Sequence, residues 1–347
     1  ALAMLTTATL GAHAGCAVAV FGGLAAGAIA ENSMEMLTYA ALGSLIAALS
    51  LGRVERVRPL FRAGLFASLL HVATLAIFHL PQQPAEARAL IVPMLAAIAN
   101  GGISASLALG GLFLIGPLFD VITTIRLIEL SRPDQPLLRR LLREAPGTYH
   151  HSLLVANLAE QAAERIGADA LLTRVGAYYH DVGKIAQPAF FIENQVEGVN
   201  LHAQLEPQAS AEVIIGHVRN GLEIARRYRL PRRIRAFIPE HHGTGWLRYF
   251  YNKALEASGP NGTVKESTFR YPGLRPQSKE TALVMLADSC EAAVRSSRPT
   301  SDEQIAEIVN RVIDQHVADG QLDECDLTLR DLEAIRQTMI DLSLIHI

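Results

Sequence analysis

The sequence predicts an all-α protein in two parts, a multi-span helical membrane region followed by a helical soluble domain. Three observations carry that expectation. Only nine charged residues precede Asp120, and all four lysines lie after it. The poorly charged part holds a series of apolar runs of about bilayer length. In the later part apolar residues recur at helical spacing, and no alternating strand pattern occurs. With 347 residues the chain has room for two domains.

Residues 1–30 carry no charge. Residues 1–10 read as the tail of a helix, and residues 13–30, 36–51, 63–80 and 89–119 as spans. Their repetition excludes a signal peptide. The chain opens without Met inside an apolar run, so an upstream, extracytoplasmic region is expected. His71 and His79 fall within or at the edge of the third span and are expected to pack between helices. The abundant Gly, Ala and Ser suit close helix approach. The link 53–62 holds four Arg against one Glu, which predicts a cytoplasmic loop. Residues 89–119 are long enough for two spans, but arginines follow at 126, 132, 139, 140 and 143. One tilted or kinked helix, returning the chain to the cytoplasm, fits that charge better.

Residues 120–130 continue as an amphipathic connector, broken by Pro133 and Pro136. A short basic helix follows at 137–144. Helices are then expected at 151–166, 169–179, 210–228, 280–296, 301–313 and 327–342, with 231–240 leading into His241-His242. Residues 192–206 read as a loop over a cleft. Gly243-Thr244-Gly245 turns the chain. The aromatic stretch 246–255 is either a packing cluster or an adenine-stacking wall. Residues 256–279 read as an irregular insertion, and 343–347 fit no pattern.

Five histidines and two aspartates recur through the soluble part: His151, His180, Asp181, His217, His241, His242 and Asp288. Imidazole and carboxylate together suit Mn, Fe, Zn or Ni, and an aspartate between histidine clusters can bridge two ions. No pair has zinc-finger or HExxH spacing. Context says more. An apolar run ends in His180-Asp181-Val182-Gly183-Lys184, as a core helix would deliver two ligands to the edge of a cleft. A Gly cap with a dipole-matched Lys would explain Gly183-Lys184, but not the adjacent His and Asp. His150 and His151 diverge by about 100° if helical. The net charge of −3 argues against general nucleic-acid binding. Cys16, Cys290 and Cys325 lie far apart and read as reduced structural residues.

Taken as a set, several motifs resemble the HD-domain phosphohydrolases, and among them the membrane-bound cyclic di-AMP phosphodiesterases of the PgpH type. They are Ala145 to Ser152, His180 to Lys184, Glu193-Asn194-Gln195, Gly216-His217-Val218, His241 to Thr244, Tyr249 to Tyr251, Phe269 to Tyr271, Pro276-Gln277 and Ala287-Asp288. The likeness is close over about residues 90–295. It implies the last spans of a seven-helix bundle at 1–119, a connector at 120–144 and an HD domain at 145–342. It implies two divalent transition-metal ions, Mn or Fe. His151, His180, Asp181 and Asp288 would hold one, and Asp181, His217, His241 and His242 the other. His150 would then stand behind a ligand or cap the helix. Asp181 and Lys184 would be catalytic, with Lys184 also pairing a phosphate. Asn194, Thr244, Trp246 and Tyr249 would touch substrate. The implied reaction opens cyclic di-AMP to pApA, in a multi-pass protein of the cell membrane with its HD domain in the cytoplasm. The implied partners are a cyclic dinucleotide and the lipid bilayer, with no nucleic-acid polymer and with homodimer formation left open. Leu201 and Ala203 depart from the family's Pro and Asp, and Leu274 from its Pro; all three are in loops that bear on substrate contacts. The alternatives are another HD nucleotide hydrolase, acting on cyclic di-GMP, (p)ppGpp or dNTP, and a membrane nucleotide receptor with a vestigial site. No Gly-Tyr-Pro follows His241-His242, which counts against cyclic di-GMP.

Overall fold

A computed structural model describes residues 1–31, 33–51, 57–79, 90–118, 122–195, 200–259 and 263–343. Residues 53–56 of the arginine-rich link 53–62 and the whole link 81–88 lie outside the described residues, as do 196–199 of the expected cleft loop and 344–347. The chain divides into two compact units, Ala1–Ile128 and Glu129–Ile347.

The first unit is built from α1 (Leu2–Leu10), α2 (Ala12–Ile29), α3 (Met34–Leu51), α4 (Arg58–His79) and α5 (Ile91–Leu118). The last four are long and apolar enough to cross a membrane, so this is a membrane protein. Large apolar side chains such as Phe21, Leu69, Leu107 and Leu114 face outward, where lipid makes their exposure favourable. Small residues face inward. On α2 the buried positions are Gly15, Ala19, Gly23 and Gly27, four apart on one stripe. Gly64 and Gly101 pack backbone to backbone, and a Cβ on either would collide with the other's carbonyl. The stretch expected as one long helix is one helix, α5. His71 is buried between helices as expected: it stacks on Tyr39 at 3.9 Å, lies over Gly43, and stands 3.5 Å from Asn100 Nδ2. His79 pairs with Glu35 at 2.8 Å.

After α6 (Thr124–Leu130), the second unit contains α7 (Pro136–Glu144), α8 (Pro146–Ile166), α9 (Ala170–Tyr179), α10 (Pro207–Arg227), α11 (Arg232–Glu240), α12 (Arg248–Ser258), α13 (Lys279–Ser297), α14 (Asp302–Ala318) and α15 (Leu329–Ser343). Among the described residues the one β contact is an isolated bridge between Trp246 and Arg270, so the all-α expectation stands. Local chemistry fixes the helix ends. Asp169 accepts from Leu172 N to start α9, Ser278 and Thr281 form a capping box on α13, and Gly167 ends α8 at φ 72°.

Two expectations need correction. α8 begins at Pro146, five residues before the expected start, because proline at a first helical position has its φ pre-set and no donor to lose. Residues 248–258 form α12, which takes in most of the aromatic stretch and the start of the expected irregular insertion. Its residues Phe250, Tyr251 and Ala254 pack with Ala211 and Phe269, and that burial outweighs poor helix propensity. α13 lies at the centre, with every residue from Thr281 to Asp288 buried.

Candidate metal centre

Two helix ends, of α9 and α11, and three helix interiors, of α8, α10 and α13, converge on one aspartate. His151 is in α8. His180 still has helical dihedrals at the end of α9, and Asp181 leaves the helix at φ −108°. The break turns both adjacent side chains inward, which an unbroken helix would not allow. His217 comes from the middle of α10, His241 caps α11 with His242 next, and Asp288 comes from α13. A Cβ at Gly183 would collide with the His217 carbonyl. Glycine there lets α10 approach the turn that carries Asp181.

The two oxygens of Asp181 face different partners. Oδ2 lies 3.2 Å from His180 Nε2 and 3.7 Å from His151 Nε2, while Oδ1 lies 3.3 Å from His217 Nε2 and 3.6 Å from His241 Nε2. Asp288 Oδ1 stands 2.9 Å from His151 Nε2 and 3.9 Å from His180 Nε2. All seven residues singled out from the sequence are brought together. They form two groups: His151, His180, Asp181 and Asp288, and Asp181, His217, His241 and His242. Within each, the ligand atoms lie within 4.8 Å of one another.

The rings are oriented from behind. Nδ1 of His180, His217 and His241 donates to the carbonyls of Ala177, Ile214 and Phe237 at 2.7, 2.5 and 3.0 Å. His151 Nδ1 meets Glu291 Oε2 at 2.7 Å, and Arg295 holds the other Glu291 oxygen at 2.9 Å. The Nε2 of His180, His217 and His241 therefore points inward with its lone pair free, as metal-binding imidazoles require, while His151 Nε2 is bonded to Asp288 Oδ1 at 2.9 Å. His180 Nε2, Asp181 Oδ1, His217 Nε2 and His241 Nε2 are buried and lack any hydrogen-bond partner. Buried polar atoms are nearly always partnered. Three orphaned imidazole nitrogens around an orphaned carboxylate oxygen fit a cation, and this donor set, imidazole with carboxylate, suits a divalent transition metal.

Electrostatics agree. Burial pushes the Asp181 carboxyl up, but Lys184 and His180 outweigh it and hold it well below the usual carboxylate range. Asp288 is likewise driven down against burial by its hydrogen bond to His151. Burial lowers His241, with His180 adding to it, and lowers His242 further, with His241 and His217 adding to it, so both rings are neutral. Burial would also lower His151, but the Asp288 and Glu291 hydrogen bonds raise it to about 10.

Lys184 is less available than expected. Its ammonium bridges Asp181 Oδ2 at 2.7 Å and Glu193 at 2.9 Å, over the Phe191 ring. The structure does not gather the four expected substrate contacts on the metal groups. Asn194 holds the start of α8, accepting from Thr148 N and donating to Thr148 Oγ1. Thr244 is bonded to Gln321. Trp246 sits in the packing cluster between the Arg248 and Arg270 guanidiniums, so for that ring packing is the realised alternative. Tyr249 is exposed. Sequence reading missed the roles of Glu291, Glu193, Thr148 and Tyr271, whose ring stacks on His242 at 4.1 Å. For Glu291 a signal existed: it lies three residues after Asp288, on the same helix face.

An all-helical domain that draws five histidines and two aspartates around one bridging carboxylate, in a chain with four membrane-length helices, defines a membrane-borne HD-type protein. Residues 148–293 match the family described as HD domain, and residues 1–123 match that described as 7TM receptor with intracellular HD hydrolase. The chain is 41% identical over 302 residues to cyclic-di-AMP phosphodiesterase PgpH of Bacillus subtilis, covering 87% of this chain and 42% of that protein. It is 46% identical over 234 residues to the PgpH of Listeria monocytogenes, covering 67% of this chain and 32% of that one. The crystal structure of the Listeria PgpH HD domain in complex with cyclic-di-AMP superposes with a TM-score of 0.58 at 46% identity, covering 61% of this chain and 97% of that one. The chain belongs to this family, the membrane-borne HD-domain proteins of the PgpH type. It spans less than half the length of the curated relatives it matches.

Proposed function

We propose that this protein is a metal-dependent phosphodiesterase that opens cyclic di-AMP to pApA, with its HD domain in the cytoplasm. The observation that carries the reaction class is the set of orphaned buried atoms converging on Asp181. The likeness to a relative's domain solved with cyclic-di-AMP supports the substrate. Arginines at 126, 132, 139, 140 and 143, after the last span, support the orientation.

In this reading His151, His180, Asp181 and Asp288 hold one Mn or Fe ion, and Asp181, His217, His241 and His242 hold the second. Bound there, the pair supplies an acidified water and neutralises charge on the phosphoryl oxygens. Asp181 sets the spacing of the two groups by offering one oxygen to each. Lys184 fixes Asp181, and its third N–H is left for a phosphoryl oxygen. Glu193, shared by Lys184 and the Thr148 hydroxyl, ties that turn to the start of α8. Tyr249 offers an exposed ring on which a base can stack.

The test is hydrolysis by the purified full chain, loaded with Mn²⁺ or Fe²⁺, of cyclic di-AMP against cyclic di-GMP. We expect pApA as product and kcat/KM at least about tenfold higher for the adenine substrate, because a wrong base leaves buried polar groups unpaired. Inertness towards both substrates would overturn the activity. A ratio near one would overturn the base assignment.

A further inference from the structure

The turn between α10 and α11 carries a concentration of positive charge that the metal centre does not use. From Arg219 to Arg235 there are seven arginines against one glutamate, Glu223. The rest of the unit has the opposite character: from Glu129 to Ile347 there are 25 basic against 29 acidic residues. Arg226, Arg227, Arg229 and Arg233 are all exposed. α7 joins them from the side. Its Arg140, held protonated first by Glu144, also contacts the Tyr228 hydroxyl in that turn. Arg139 and Arg143 on the same helix are exposed.

Several exposed arginines elsewhere in the unit meet carboxylates: Arg132 meets Asp134, Arg248 meets Asp319, Arg311 meets Glu307. None of these six forms an ion pair within 4.0 Å among the described residues; Arg139 and Arg233 act on Asp134 and Glu240 only at longer range. Helix chemistry does not account for the cluster. Arg226 and Arg227 suit the negative end of α10, but Arg232 and Arg233 open α11 at its positive end, where cations are unfavourable. Arg229 sits at φ 53°, in the left-handed region that favours glycine or asparagine. Arginine is kept here against two local costs.

We propose that this corner is a docking surface for an anionic phospholipid bilayer. Guanidinium groups suit phosphate geometry. The four membrane-length helices of the same chain keep a bilayer permanently tethered nearby, at high effective concentration. A nucleic acid would meet a domain that is net negative outside this corner. α10 and α11 lead from the corner to His217 and His241, so a docked corner and the metal centre share two rigid helices.

The experiment is hydrogen exchange of the full chain in nanodiscs of phosphatidylcholine alone or mixed with phosphatidylglycerol. Each arginine at an anionic surface contributes on the order of fivefold to the docking equilibrium. Amides of residues 226–235 should therefore exchange at least about tenfold more slowly in the phosphatidylglycerol discs. High salt should abolish the difference. R226Q/R227Q/R229Q/R233Q should lose it, and the corresponding quadruple Lys variant should keep it. The lipid comparison in the wild-type chain and in the Lys variant decides the matter even where the Gln variant does not fold. Equal exchange in both kinds of disc would overturn the proposal. So would protection that appears with added RNA in phosphatidylcholine discs and not with phosphatidylglycerol.

Discussion

The two units treat buried polar atoms in opposite ways. In the membrane unit side chains bond within the bundle. Thr7 and Thr74 donate to carbonyls four residues back, and Ser68 Oγ reaches the Ile98 carbonyl on the neighbouring helix at 3.0 Å. Among the described residues of the second unit nine buried side-chain atoms lack a partner, and four of them belong to the cluster at Asp181; none of the nine precedes Ser152. Lipid offers no hydrogen bonds, so a spanning helix has to satisfy itself. A soluble domain could turn its polar groups to water or pair them. Leaving four unpaired at one point marks a place that something other than protein completes. The strongest way to break this comparison is Asp181→Ala. It removes the one carboxylate shared by both groups, and hydrolysis should fall to the assay floor with metal content reduced. Full activity with metal content unchanged would sink the assignment.

Glu291→Gln sharpens the same contrast without touching a ligand. The neutral amide weakens the hydrogen bond to His151 Nδ1 and releases Arg295. Outer partners of this kind are worth about 10- to 100-fold in metal affinity, so chelator competition should show a loss in that range with helix content intact. Unchanged affinity would mean that Glu291 only neutralises Arg295. The membrane unit predicts the reverse pattern. Gly64→Leu drives a side chain into the Gly101 carbonyl and should cost about 1–3 kcal/mol as overpacking. That loss should appear in denaturation of the membrane helices, while metal content stays constant. Metal lost together with helix packing would show that the units are not independent.

Much of this was legible in the sequence, for reasons that differ by region. The spans could be read because apolar runs and missing charge are local properties. The seven candidate ligands could be read because His and Asp beside a Gly-Lys turn are rare, and the family likeness grouped them. Glu291 was not legible by composition, since a glutamate in a helix is normally a solvated residue; its burial depends on α8 lying against α13. Glu193 and Thr148 lie 45 residues apart and meet only in the folded domain. Tyr271 reaches His242 only because the chain folds back after α12. The aromatic stretch was ambiguous because stacking walls and packing clusters share a composition, and the choice rests on tertiary contacts with Ala211 and Phe269.

The smallest effect expected concerns pH and a histidine outside the metal groups. His316 on α14 is bonded through Nε2 to Ser289 Oγ at 2.9 Å, and burial lowers its pKa below 6.5. The native state therefore favours the neutral ring, while the unfolded chain takes up a proton near the ordinary value. Unfolding then binds protons, and stability falls as pH drops through about 6.5 towards the lower native value. Above that window the contribution of His316 is fully present. His241 and His242 are shifted the same way, so wild-type stability alone does not isolate His316. The informative quantity is the difference between wild type and His316→Gln, followed by chemical denaturation from pH 7.5 to about 5. The variant should lose part of the acid destabilisation and keep its metal content. Parallel stability curves would show that His316 meets enough solvent in the native state to titrate as it does in the unfolded chain.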